Sequence, residues 1–107
     1  MTSNTTVTII TGASEGIGAE LARQLATRYG AGLSLVLAAR KREALDAVAD
    51  ICRAKGSQVL VVPTDVSVEA QCRALILATL DAFGRIDTLV NNAGVSAQAL
   101  FQDVDAQ

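Results

Sequence analysis

Four short stretches of the chain are dominated by Val, Ile and Leu: Val7 to Ile10, Leu33 to Ala39, Val59 to Val62 and Ile86 to Val90. They recur about every 25 to 28 residues. Runs this short, apolar on nearly every position, predict strands buried on both faces, as in a parallel sheet. Between them the apolar positions switch to helical spacing. Ile17, Leu21, Ala22, Leu25 and Ala26 form one stripe, Leu45, Val48, Ala49 and Cys52 a second, and Cys72, Leu75, Ile76, Thr79, Leu80 and Phe83 a third. Gly30, Gly56 and Gly84 each close a helical stretch where a left-handed C-terminal cap is wanted, and Ser67 is placed to cap the start of the third. The order βαβαβαβ predicts an α/β fold with a doubly wound parallel sheet. Right-handed crossovers and one reversal of direction after the third strand give the strand order 3-2-1-4. No linker or low-complexity segment interrupts the pattern, so residues 1–107 read as one domain. Ligands of such sheets bind beyond the carboxyl ends of the strands, and candidate chemistry belongs there.

Composition narrows the function. Half of the 107 residues are apolar and 19% are charged, which argues against disorder. No apolar run reaches the roughly 18 residues that a membrane span needs. Nine basic against eleven acidic residues give a formal charge of −2, so no general attraction to nucleic acid or to an anionic membrane is expected. The chain has no histidine, which removes imidazole bases, histidine triads and histidine metal sites. Cys52 and Cys72 form neither a close pair nor a zinc pattern and read as reduced, partly buried thiols. The polar start, Met1 to Thr6, has no secretory character, so a cytoplasmic location is expected.

Directly after the first strand comes Thr11-Gly12-Ala13-Ser14-Glu15-Gly16-Ile17-Gly18, leading into the first helix. Glycines there let the turn bend sharply and let backbone N–H groups approach an anion, while the helix start offers unpaired donors and a positive dipole end. The strand–loop–helix setting predicts a dinucleotide phosphate site. By themselves, Asp65 reads equally well as a turn or cap residue and Asn91-Asn92-Ala93-Gly94 as a strand-ending turn. The glycine spacing is G-x-x-x-G-x-G and not G-x-G-x-x-G. With Asp65-Val66 after the third strand and Asn91-Asn92-Ala93-Gly94 after the fourth, the chain resembles the short-chain dehydrogenase/reductase family over nearly its whole length. That resemblance implies a Rossmann-like fold and a binding role for each motif. Gly12, Gly16 and Gly18 would wrap the pyrophosphate, with Ile17 toward the nicotinamide. Asp65 and the Val66 backbone would meet the adenine, and Asn91, Ala93 and Gly94 would flank the adenosine ribose.

The choice of cofactor turns on the end of the second strand. NAD-binding chains usually carry an acid there, about 20 residues past the glycines, for the ribose hydroxyls. Here the sequence reads Ala38-Ala39-Arg40-Lys41-Arg42, with no acid before Glu43. Arg40 is suited to a 2′-phosphate, with Ser14 as a hydroxyl donor, so NADP is expected over NAD. The plain alternative, a solvated basic helix start, is weakened because positive charge is unfavourable at a helix N-terminus. Glu15 stands where many NADP-preferring members of the resembled family carry a base.

The same resemblance implies an oxidoreductase interconverting a carbonyl and an alcohol on a small molecule, working as a homo-oligomer at full length. Its Tyr-x-x-x-Lys pair has no match here. The only tyrosine, Tyr29, ends the first helix, and no residue matches a catalytic position. The chain therefore reads as the N-terminal, cofactor-binding part of a longer reductase, inactive alone. A non-catalytic dinucleotide-binding module is the alternative, whereas a methyltransferase would want an acid where Arg40 stands.

Overall fold

A computed structural model describes residues 5–92, so Ala93 and Gly94 lie outside the described residues. Four parallel strands, β1 (Thr6–Thr11), β2 (Leu33–Ala39), β3 (Gln58–Pro63) and β4 (Thr88–Val90), form one sheet in the order β3-β2-β1-β4. The helices α1 (Gly16–Tyr29), α2 (Arg42–Ala54) and α3 (Glu69–Phe83) alternate with them. This is the Rossmann-like topology that the apolar runs predict.

Alternation along the strands divides the core in two. Ile10 on β1 and Leu35 and Leu37 on β2 face Ala19, Ala22 and Ala26 of α1 and Leu45, Val48, Ala49 and Cys52 of α2. Val7 and Ile9 on β1 and Val36 and Ala38 on β2 face Cys72 and Leu75 of α3. Residues Leu33 to Ala38 of β2 are all buried, because β2 has a strand on either side and helices on both faces. At β3 and β4, the two ends of the described sheet, the apolar positions are only half-buried.

Several local readings are corrected. Ile17 does not share the buried stripe of α1 and is 78% exposed; small residues, Gly18, Ala19, Ala22 and Ala26, form that face and bring the helix close to the sheet. Leu80 is exposed rather than packed, the buried positions of α3 being Cys72, Leu75 and Thr79. β4 starts at Thr88 instead of Ile86, because Asp87 is occupied in tethering β1. Ser67 is not the cap of α3: Val68 holds that position, and the Ser67 hydroxyl donates to Asp65 instead. Gly84 has the left-handed cap geometry, whereas α2 ends on Lys55 and Gly56 follows at φ 101°. Both cysteines are free and buried, and burial pushes each thiol pKa up.

Candidate functional site

From β1 the chain winds outward through β2 to β3, then crosses back over the other face to β4. The carboxyl ends of β1 and β4 therefore separate loops that run in opposite directions, which opens a crevice. A cleft of about 610 Å³ lies there. Gly12, Ser14, Glu15 and Gly16 line it from the β1–α1 loop, and Ala39, Arg40 and Lys41 from the end of β2. Thr64, Asp65, Val66 and Ser67 contribute after β3, and Asn92 after β4.

The glycines serve different ends. Gly12 and Gly16 have φ near +63° and +61°, a region that costs most side chains strain, and among the described residues nothing lies within 4 Å of where a Gly16 Cβ would point. Gly18 is excluded from carrying a side chain for another reason. Its Cβ would stand 2.2 Å from the Gly12 carbonyl oxygen and 2.8 Å from Asn92 Nδ2. Its bareness lets the first turn of α1 rest on the loop. The helix bonding begins with Ala19 N–H donating to the Glu15 carbonyl at 3.4 Å, so the amides of Gly16, Ile17 and Gly18 have no partner inside the helix. They and the helix dipole make this end a seat for an anion.

The other walls are tied down by the protein itself. Asp65 Oδ1 accepts from the Ser67 N–H at 3.0 Å and the Ser67 hydroxyl at 2.6 Å, while its own N–H donates to Gln71 Oε1 at 2.7 Å. The Ser67 hydroxyl, then its N–H, and more weakly the Arg40 charge hold the Asp65 carboxyl below its ordinary pKa. The Asp65 carboxylate is thus charged, with Oδ1 engaged. Arg40 is exposed at the rim, and among the described residues it forms no ion pair. Glu15 holds the N-cap position of α1 with extended backbone and makes no side-chain cap bond.

At the β1–β4 junction the buried Thr11 hydroxyl accepts from Asn92 N–H at 2.9 Å and lies 3.2 Å from Asn91 Oδ1. Asn92 Nδ2 donates to the Gly12 carbonyl at 3.3 Å. Asn91 Nδ2 is buried and has no partner among the described residues.

Of the residues singled out from the sequence, Gly12, Ser14, Gly16, Arg40, Asp65 and Val66 line the cleft together. Gly18 underlies it, Asn91 is turned toward Thr11, and Ile17 lies exposed at the start of α1 outside the cleft lining. Asn92, Lys41 and Thr64 are lining residues that the sequence reading passed over. Asn92 had a signal, since in an extended segment neighbours alternate in direction and only one of the two asparagines can point at Thr11.

The family model for short chain dehydrogenases matches residues 6–107. An 11-beta-hydroxysteroid dehydrogenase-like 4A of Arabidopsis thaliana is 48% identical over 101 residues, which is 94% of this chain and 33% of that protein. The chain thus spans about a third of the length of the curated relatives it matches. A metagenomic short-chain oxidoreductase solved in complex with NADP is 41% identical, with a TM-score of 0.77 over 88% of this chain and 42% of its own. A short chain dehydrogenase/reductase from Burkholderia phymatum solved in complex with NAD is also 41% identical, with a TM-score of 0.73 over 83% of this chain and 31% of its own.

Proposed function

The chain belongs to the short chain dehydrogenase family, and on that premise we propose that it supplies the dinucleotide-binding part of an NADP(H)-dependent oxidoreductase that interconverts a carbonyl and an alcohol on a small molecule. Similar proteins have been solved with NADP and with NAD, so the preference is argued from this chain's own residues. The observation that carries it is Arg40 at the end of β2, lining the cleft, where an NAD site usually has a carboxylate.

The cleft suits a dinucleotide. Its volume is in the range of cofactor sites, and the open space over Gly16 adjoins the unpartnered amides that start α1. Those amides would hold the pyrophosphate, and the Arg40 guanidinium would bind a 2′-phosphate through paired N–H donors, with the Ser14 hydroxyl and the Lys41 ammonium nearby. Asp65 would accept from the adenine amine through the oxygen Ser67 leaves available, and the Asn91 amide would turn its unpaired N–H toward the adenosine ribose. Ala93 and Gly94 would flank that ribose, and Ile17, exposed where α1 begins, would cover the nicotinamide side. When bound, the reduced dinucleotide would supply the hydride to a carbonyl and its oxidised form would accept one from an alcohol.

Calorimetric titration of NADPH and NADH against the chain tests the assignment. Losing a charge-assisted phosphate contact costs on the order of 1.5–3 kcal/mol, so Arg40→Ala is expected to weaken NADPH roughly tenfold or more and to leave NADH nearly unchanged. Equal losses for both would remove Arg40 from the 2′-phosphate site. Glu15→Gln sharpens the same test. Removing a carboxylate from a cleft that receives a phosphate is expected to tighten NADPH by about threefold and to affect NADH less.

A further inference from the structure

α1 and α2 lie side by side on one face of the sheet, and their outward surfaces enclose a furrow of about 670 Å³ away from the dinucleotide cleft. The walls come from α1 between Glu20 and Tyr29 and from the end of α2, at Ile51 and Lys55. Leu21 and Leu25 form a half-buried floor, while Tyr29 is 54% exposed and Ile51 42% exposed. These two are among the six large apolar side chains that the described residues expose.

Charge around the furrow is unbalanced. Glu20 is already engaged, accepting from Arg23 at 2.9 Å and from Gln24 at 2.9 Å. Arg28 and Lys55 form no ion pair among the described residues, and the Arg28 guanidinium stands 5.6 Å from the Tyr29 ring centroid. Two cations without a carboxylate partner among the described residues thus line one apolar trough on a chain whose formal charge is −2. Both sit at helix C-terminal ends, where they offset the partial negative charge of the last carbonyls. That role accounts for the cations and leaves the exposed Tyr29 and Ile51 beside them without a reason.

We propose that this furrow docks an acidic amphipathic helical segment of another protein, with its apolar row on Leu25, Ile51 and Tyr29 and its carboxylates on Arg28 and Lys55. Two neighbouring helices present a trough that accepts a third, and cations at its edge select an acidic partner through encounter and register. The cleft lies at the N-terminal end of α1 and the furrow toward its C-terminal end, so an occupant would leave the cleft open.

Tyr29 provides a local probe, since it is the chain's only tyrosine and there is no tryptophan. The test titrates the chain with a synthetic Leu/Glu amphipathic helix of about 15 residues, long enough to lie along α1 and free of aromatic groups. Tyrosine fluorescence is expected to change saturably and less at high salt, with no response to the Leu/Lys version of the peptide. Reversing both cations, Arg28→Glu with Lys55→Glu, is expected to weaken binding at least about tenfold, and the exchange Arg28→Lys with Lys55→Arg to preserve it. Far-ultraviolet circular dichroism confirms that each variant is folded. An equal response to the basic peptide, or a response that survives the double reversal, would overturn the proposal. So would competition by phosphatidylserine vesicles, which would make the partner a lipid surface, or self-association abolished by the double reversal, which would make it a second copy.

Discussion

The two ends of the β1–β4 pair hold the same strands together by opposite means. At the amino end Val7 N–H donates to Asp87 Oδ2 at 2.8 Å, Asp87 N–H donates to the Val7 carbonyl at 2.9 Å, and Arg85 donates to both Asp87 oxygens. At the carboxyl end the contacts are between neutral groups: the Thr11 hydroxyl receives Asn92 N–H at 2.9 Å and lies 3.2 Å from Asn91 Oδ1, and Asn92 Nδ2 donates to the Gly12 carbonyl at 3.3 Å. The amides opening α1 are left without helical partners there, as is Asn91 Nδ2 among the described residues. One end spends its polar groups on the protein and closes. The other withholds donors, a cost a fold bears where an anionic ligand supplies the missing acceptors.

The comparison breaks most sharply at Gly18. A Cβ there would overlap the Gly12 carbonyl, which is backbone and cannot swing aside. Gly18→Val is expected to lower stability by roughly 3 kcal/mol or more and to abolish dinucleotide binding. Urea unfolding measures the first and calorimetry the second. Gly16→Ala, with open space around the new methyl, is expected to cost only about 1–2 kcal/mol from its positive φ. If the two variants unfold alike, the close approach of α1 to its loop does not limit the fold.

Thr11 tests the weaker tether. Thr11→Val keeps the shape of a fully buried side chain and removes the hydroxyl that receives Asn92 N–H. Leaving that amide and Asn91 Oδ1 without their partner is expected to cost about 1–3 kcal/mol. A midpoint equal to that of the native chain would mean that strand pairing alone holds the carboxyl end together.

What could be read from sequence follows from how much of each feature is local. β2 needed only its own residues, since a strand flanked and covered on all sides is apolar at nearly every position, Ser34 being the exception. β4 was read two residues too long because the partner that claims Asp87 lies 80 positions away at Val7. Ile17 was assigned to the core because it fits the spacing, although small residues are what bring α1 onto the sheet. In the cleft, glycine spacing located the loop, and the missing acid at the end of β2 drew attention to Arg40. Ser67 was read as a helix cap because Ser before an apolar run usually is one, and only the fold shows its hydroxyl committed to Asp65. Asn92 was passed over because its role depends on the backbone of a loop distant in sequence.

The smallest expected effect lies at the closed end and is read with pH. Hydrogen bonds from Arg85, and then from the Val7 amide, hold the Asp87 carboxyl below the ordinary carboxylate range. A group whose folded pKa is depressed contributes stability in full above its unfolded value of about 3.9, and that contribution is lost as pH falls through the folded value. Asp87→Asn cannot ionise. Native chain and variant are therefore expected to differ most in urea midpoint at neutral pH and to converge as pH falls below the ordinary carboxylate range. Because the carboxylate is solvent-accessible, about 1 M salt should shrink the neutral-pH difference by weakening the Arg85 contribution, while the Val7 bond remains. Asp65, lowered chiefly by its bond from the Ser67 hydroxyl, is common to both proteins and cancels in the difference. A gap that persists unchanged into acid would show that Asp87 acts there through shape and not through charge.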